Sequence, residues 1–218
     1  MEASRAKLIE TLKALSWVND PFSGLITPKD FEDSFLWPGE KWDSIEESAQ
    51  ASADGRQVAE YRFMGPKGPK PFLPVAFVVD PAASNGPTAY VYSDHHLVDD
   101  RGPILTPVEG IKPWRSEDDV LYRYFQALNG NRLEEVLSIF DEDGYFQHSN
   151  AETFRGRDEL RTDFVKMMGE TGIRIQYCRF TDDGKTCVVE CYMPSGRPAI
   201  AVYERGNTGG LHAVRIYL

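Results

Sequence analysis

Residues Asp118 to Gly156 constrain the fold of this chain more than any other stretch. In DDVLYRYFQALNGNRLEEVLSIFDEDGYFQHSNAETFRG, Val120, Tyr124 and Leu128 fall at i, i+4 and i+8, with Leu121 beside them. Leu133, Val136, Leu137 and Phe140 then fall at i, i+3, i+4 and i+7. Both are one-sided apolar stripes at the helical period. Asn129-Gly130 between them is expected to supply the left-handed residue that a helix C-terminus favours. After Asp143-Gly144 the pattern becomes Tyr145, Phe146, Gln147, His148, a short strand with a histidine at its polar tip. A glycine-led turn at Gly156 opens a third helix over Arg157 to Met168, with Leu160, Phe164, Met167 and Met168 on one face.

The rest of the second half reads as four antiparallel strands: Ile173 to Phe180, Lys185 to Met193, Ala199 to Glu204 and Leu211 to Leu218. Asp182-Asp183-Gly184 and Gly206-Asn207-Thr208-Gly209-Gly210 are hairpin turns. Ser116, with Asp119 three residues on, is close to a capping box for the first helix. Three helices against a curved antiparallel sheet make a cone, with a hollow between the layers where ligands commonly sit.

The first half starts with a helix over Ala3 to Val18, striped by Leu8, Leu12 and Leu15 and stopped at Asn19-Asp20-Pro21. A short helical turn fits Asp30 to Leu36, and Glu40 to Ala53 reads as a polar, half-exposed helix. Strands follow at Gln57 to Met64, Phe72 to Val79 and Thr88 to Ser93. Pro71 and Pro74 place the entry of the second of these at an edge or bulge. Glu60 to Leu97 runs parallel to Glu190 to Leu218: strand, Pro/Gly loop, strand, Gly/Asn turn, strand. Residues 1–98 therefore read as a shorter α+β domain, either a degenerate copy of the second half or an unrelated extension. Residues 99–115 form a Pro-rich linker, with Ile104, Leu105, Ile111 and Trp114 too apolar for a free tether. Residues 116–218 form the second domain.

The net charge of -10 divides evenly, with 12 basic and 17 acidic groups in residues 1–115 and the same numbers in 116–218. No basic patch appears, so nucleic acid is not an expected partner. No apolar run is long enough to span a membrane. The N-terminal MEASRAKLIETLKAL is charged and amphipathic and lacks the apolar core of a signal peptide. Cys178, Cys187 and Cys191 are odd in number and lack framework spacing, which fits reduced thiols in a cytoplasm.

The order of elements from Asp118 onward resembles the superfamily of nuclear transport factor 2, SnoaL and ketosteroid isomerase. RYFQALNGNRLEEVLSIFDEDG (Arg123 to Gly144) is similar to the start of the bacterial ketosteroid isomerases. The resemblance implies an α+β, cone-shaped domain for residues 116–218. In those isomerases a first-helix tyrosine stabilises an enolate, a carboxylate at the end of the first strand shuttles the proton, and a protonated aspartate completes the oxyanion hole; the family is a worked example of pKa tuning. Carried over residue by residue, the tyrosine falls on Tyr124, the carboxylate position on His148, and the third position near Ala201, which has no acid.

His148 and Tyr124 are thus the candidate catalytic pair, set against the plainer roles of a strand-end histidine and a core tyrosine. Strand alternation places His212 on the face of Val214 and Ile216, hence at the hollow, with Tyr203, Tyr192 and Phe164 as candidate walls. Glu190 is either solvent-facing or a buried carboxylate. Asp94-His95-His96 could offer a metal two ligands at most from one strand face, and no metal or cofactor is expected. No G-x-G-x-x-G, P-loop, G-x-S-x-G or H-E-x-x-H occurs.

Two functions from different classes remain. One is a small-molecule binding protein or cofactor-free enzyme, an isomerase, dehydratase or cyclase acting on a small carbonyl or polyketide-like compound. The other is a non-catalytic interaction module. There the chain is a monomer whose halves form an intramolecular pseudo-dimer, or it is a homodimer.

Overall fold

The computed structural model describes residues 44–64, 72–80, 88–93, 105–109, 116–170, 172–173 and 175–218. The helices expected before residue 40 and the Asp94-His95-His96 cluster lie outside these. The chain divides into two compact units, one carrying a first sheet and one spanning Leu105–His148 and Glu152–Ile216. No helix among the described residues is long and apolar enough to cross a membrane.

The first sheet is an antiparallel meander of β1 (Ser44–Ala53), β2 (Arg56–Met64), β3 (Phe72–Asp80) and β4 (Thr88–Ser93), in that order. The helix expected over Glu40 to Ala53 is corrected here: its last ten residues are strand. Ser, Ala, Gln and Glu tolerate a helix, but local propensity yields to pairing when a strong turn and a partner strand follow. That turn is Asp54-Gly55, both at positive φ (53° and 77°), the geometry of a two-residue hairpin loop. Pairing runs from Ala53↔Arg56 to Ser44↔Met64, broken by one bulge where Glu47 faces Tyr61 and Ala49 faces Glu60. Pro74 pairs with Arg62 of β2, while β4 begins opposite Asp80 and ends at Ser93 opposite Val75, so among the described residues β4 pairs with neither Leu73 nor Pro74.

The second unit contains α1 (Val120–Asn129), α2 (Leu133–Ile139) and α3 (Gly156–Met168). Asp119, rather than Ser116, caps α1: its carboxylate accepts from the Leu121 N–H at 2.9 Å. The same carboxylate accepts from Arg205 at 3.0 Å, and Arg205 also donates to Asp182 at 2.8 Å, so one arginine ties the helix start to the sheet. The left-handed residue after α1 is Asn131 (φ 53°), not Gly130 (φ −80°). Asparagine tolerates this region.

Six strands make the second sheet: β5 (Phe140–Gln147), β6 (Thr153–Arg155), β7 (Gln176–Asp182), β8 (Thr186–Tyr192), β9 (Pro198–Arg205) and β10 (Leu211–Tyr217). Their order is β6-β5-β10-β9-β8-β7. The sheet is mixed rather than wholly antiparallel, because β5 and β10 run parallel. β5 also begins at Phe140, earlier than its polar run predicts. Its register jumps from Phe140↔Leu211 to Tyr145↔Ala213, so Asp141-Glu142-Asp143-Gly144 is accommodated as an irregularity within the strand. Gly144 permits it: a Cβ would meet the Leu211 and Asp141 carbonyl oxygens at 2.8 and 2.9 Å.

The helices and the inner sheet face enclose the core. Leu121, Phe125, Val136, Phe164, Val189 and Val214 are among its most buried members, each at 1% exposure or less. The predicted stripes of all three helices point into it. Leu105 and Val108 lie against the sheet as well: Val108 N–H donates to the Tyr177 carbonyl at 2.8 Å, so part of the linker covers the β7 edge.

Candidate functional site

His148 follows the last residue of β5. Its N–H donates to the Glu152 carbonyl at 2.9 Å, and Ala151, at φ 69°, turns the chain back into β6. The imidazole lies edge-on to Phe146 (centroids 5.0 Å apart) and Phe154 (5.6 Å). Its Nε2 is 2.9 Å from both carboxylate oxygens of Asp163 on α3. The histidine side chain is 26% exposed and the aspartate side chain 7%, so a nearly buried carboxylate faces a partly open ring.

The sequence does carry a signal for Asp163. Leu160, Asp163, Phe164 and Met167 are spaced i, i+3, i+4 and i+7, so an acid sits inside the apolar stripe of α3. A charge in such a stripe needs a partner, and His148 is that partner.

Tyr124 lies in the core at 2% exposure, edge-on to Phe125 (5.6 Å), Phe140 (6.0 Å) and Tyr203 (5.7 Å). Burial pushes its phenol far above the ordinary tyrosine value, reinforced by Tyr177 and then by the Asp163 charge. It is therefore a neutral hydroxyl at any physiological pH. Tyr203 is raised the same way, by burial first and Tyr124 next. Phe164 stands between Phe140 (5.9 Å) and Phe146 (5.3 Å). A run of aromatic rings thus leads from Tyr124 through Phe140, Phe164 and Phe146 to His148.

Two predicted wall residues lie elsewhere. Tyr192 is on the β8 face opposite Val189. Its hydroxyl accepts from the Leu105 N–H at 2.8 Å, which pins the linker. His212 is half-buried, with its side chain 39% exposed. Its ring meets Tyr145 edge-on at 5.8 Å, and the Tyr145 hydroxyl accepts from Arg215 at 2.8 Å. His212, Asp141 and Asp143 bring potential ligand atoms within 4.8 Å of one another, a grouping that sequence spacing did not announce. Asp141 is also engaged by Thr208, in a loop whose Gly206 and Gly210 leave room for its carboxylate. Glu190 is buried, at 1% exposure, which removes its solvent-facing reading.

Ala201 lies in the core without an acid, as the alignment has it. The inner carboxylate comes from α3 instead of β9. The assembled groups are an imidazole with one nitrogen held, a buried acid, and a neutral phenol in an apolar interior. Such a set can accept a proton and can donate a hydrogen bond.

No curated protein matches the chain. Among solved structures, an NTF2-like protein of unknown function from Cytophaga hutchinsonii ATCC 33406 is similar over 49% of this chain and 93% of its own, at 16% identity and TM-score 0.39. One from Burkholderia xenovorans LB400 covers 48% and 85%, at 21% identity and TM-score 0.39. The epoxide hydrolase/cyclase-like enzyme SalBIII, of pyran ring formation in salinomycin, covers 47% and 90%, at 16% identity and TM-score 0.39. The SnoaL-like domain family matches residues 121–213. That segment holds the three described helices apart from Val120, β5 to β9 and the start of β10, so it is the second unit of this chain that is similar to the SnoaL-like domain.

Proposed function

We propose that the C-terminal domain binds a small, largely apolar molecule, a carbonyl or polyketide-like compound, and transfers a proton on it without a cofactor. His148 is the base and Tyr124 a neutral hydrogen-bond donor, giving an isomerase or lyase. The observation that carries this reading is the part-exposed imidazole clamped to a buried carboxylate beside an aromatic interior. Tyr203 and Phe164 line the same interior. All three cysteines are thiols, in keeping with a reducing, cytoplasmic setting. The test is a thermal-shift screen of the full chain against small carbonyl and polyketide-like compounds, followed by turnover assays on the hits. Binding and turnover that vanish in His148→Ala are the expected result. Turnover unchanged in that variant retires His148 as the base.

A second reading has the first half serve as a built-in partner for the second, an intramolecular pseudo-dimer. Its support is the pairing register. In β7–β8 one bulge separates Tyr177↔Cys191 from Arg179↔Glu190. In β1–β2 one bulge separates Glu47↔Tyr61 from Ala49↔Glu60. Each bulge is followed, four residues past the resumed pairing, by a two-residue loop: Asp54-Gly55 in one, Gly184-Lys185 in the other, closed by Asp183 N–H to Thr186 O at 3.1 Å. Both shifts place a buried glutamate at the same point. Light scattering of the full chain, with monomer expected, tests this reading; an obligate homodimer overturns it.

A further inference from the structure

We propose that Asp163 is the positioning residue of this site: it holds His148 by Nε2, leaves Nδ1 as the working atom, and faces the interior that holds Tyr124. The inference rests on the proton-transfer reading and adds the atom and the partner.

The argument begins with hydrogen-bonding capacity. A carboxylate only accepts, so a nitrogen 2.9 Å from both of its oxygens must carry the hydrogen. A neutral imidazole has one N–H, so Nδ1 then bears the lone pair. Asp163 is 5% exposed and sits one residue before Phe164, which is fully buried, so the helix and the core fix the carboxylate. Edge-on contacts with Phe146 and Phe154 limit rotation of the ring. Nδ1 is thus set by three constraints: a charge-assisted hydrogen bond and two aromatic neighbours.

One carboxylate gives the two polar groups opposite tasks. When a substrate proton moves to Nδ1, the breaking bond leaves its electron pair on the substrate, delocalised toward the carbonyl oxygen. The imidazolium so formed is balanced by Asp163 at its other nitrogen. The same negative charge adds to the burial and the Tyr177 contact that keep Tyr124 protonated, so the phenol can donate but not compete as a base. Return of the proton from Nδ1 to another atom restores the neutral ring, and no external reagent is consumed.

Two measurements on the full chain need no substrate. Long-range nitrogen–proton NMR should show the wild-type His148 ring as the Nε2–H tautomer, with the Asp163→Asn variant shifted toward Nδ1–H. Diethyl pyrocarbonate, scored on the His148 peptide by mass spectrometry, should acylate the wild type at least about tenfold faster than Asp163→Asn, since the wrong tautomer hides the lone pair. The Asp163→Glu variant should recover part of that rate. A structural role alone predicts a lower melting temperature with no change in tautomer. An Nδ1–H ring in the wild type, or equal acylation rates in folded wild type and Asp163→Asn, overturns the proposal. If Asp163→Asn does not fold, the wild-type tautomer alone still decides it. These results stand apart from the compound screen: a correct tautomer with no ligand found leaves Asp163 in place and removes the proton-transfer reading.

Discussion

The β1–β2 and β7–β8 hairpins share a bulge and a loop length, yet their two faces diverge to different degrees. On one face the paired residues match closely: Val58 and Glu60 opposite Val78 and Ala76 in the first sheet, Val188 and Glu190 opposite Val202 and Ile200 in the second. On the other face they do not. The second sheet presents Cys187, Val189 and Cys191 there, all buried, and this is the face that closes the aromatic interior. The first sheet presents exposed Gln57, half-buried Ala59 and buried Tyr61 at the corresponding positions. The likeness therefore lies on the face away from the candidate site. This is why the built-in-partner reading and the proton-transfer reading do not compete for the same residues.

The sharpest way to break the comparison is a charge on the divergent face. Val189→Asp is expected to cost about 4 kcal/mol or more, enough to unfold a marginal domain. Ala59→Asp at the matching position should cost roughly 1 kcal/mol or less, because it is half-buried. Denaturant titration of both variants measures the difference, and equal losses would remove the asymmetry. On the matching face, Val202→Lys and Val78→Lys should each cost about 2–4 kcal/mol, alike in both sheets; a loss in only one of them breaks the likeness.

Ionisation offers a test confined to the second sheet. Burial, reinforced by Cys178 and Glu190, pushes the Cys191 thiol from 9.0 up to about 12. The unfolded chain releases that proton first, so the contribution is intact below pH 9 and is lost as pH rises toward 12. Alkaline titration followed by circular dichroism should show the loss, with a shallower slope in Cys191→Ala.

Smaller effects follow at the helix start and the site. Asp119→Ala removes the α1 cap and one partner of Arg205, a loss of about 1–2 kcal/mol with Asp182 still holding the guanidinium. His148→Ala leaves the Asp163 carboxylate without its partner and should cost about 1–3 kcal/mol, readable as a melting shift, while abolishing the proposed turnover. A large stability loss in this variant would make the histidine a structural element.

The legible parts were those where periodicity and burial agree. Val120, Tyr124 and Leu128 announce α1, and Leu160 and Phe164 announce α3, because each stripe is set by the local helical period and faces the buried core. β1 differs from its local signal because Ser, Ala, Gln and Glu have no strong period, and its partner strand decides its state. His212 meets Tyr145 and comes near Asp141 and Asp143, a grouping set by the pairing of β5 with β10 and not by spacing. The acid inside the α3 stripe was visible but unread, since its meaning depends on which residue faces it.

The sequence by itself determined the three helices of the second domain, the hairpin loops and the aromatic character of the interior. Those features follow from local spacing and turn chemistry, which act between residues a few positions apart. Only the tertiary structure decided that Asp163 faces His148, that β5 runs parallel to β10, and that His212 meets Tyr145. Each of these depends on a contact between segments that spacing cannot rank, because the free energy that selects it comes from packing and register across the sheet.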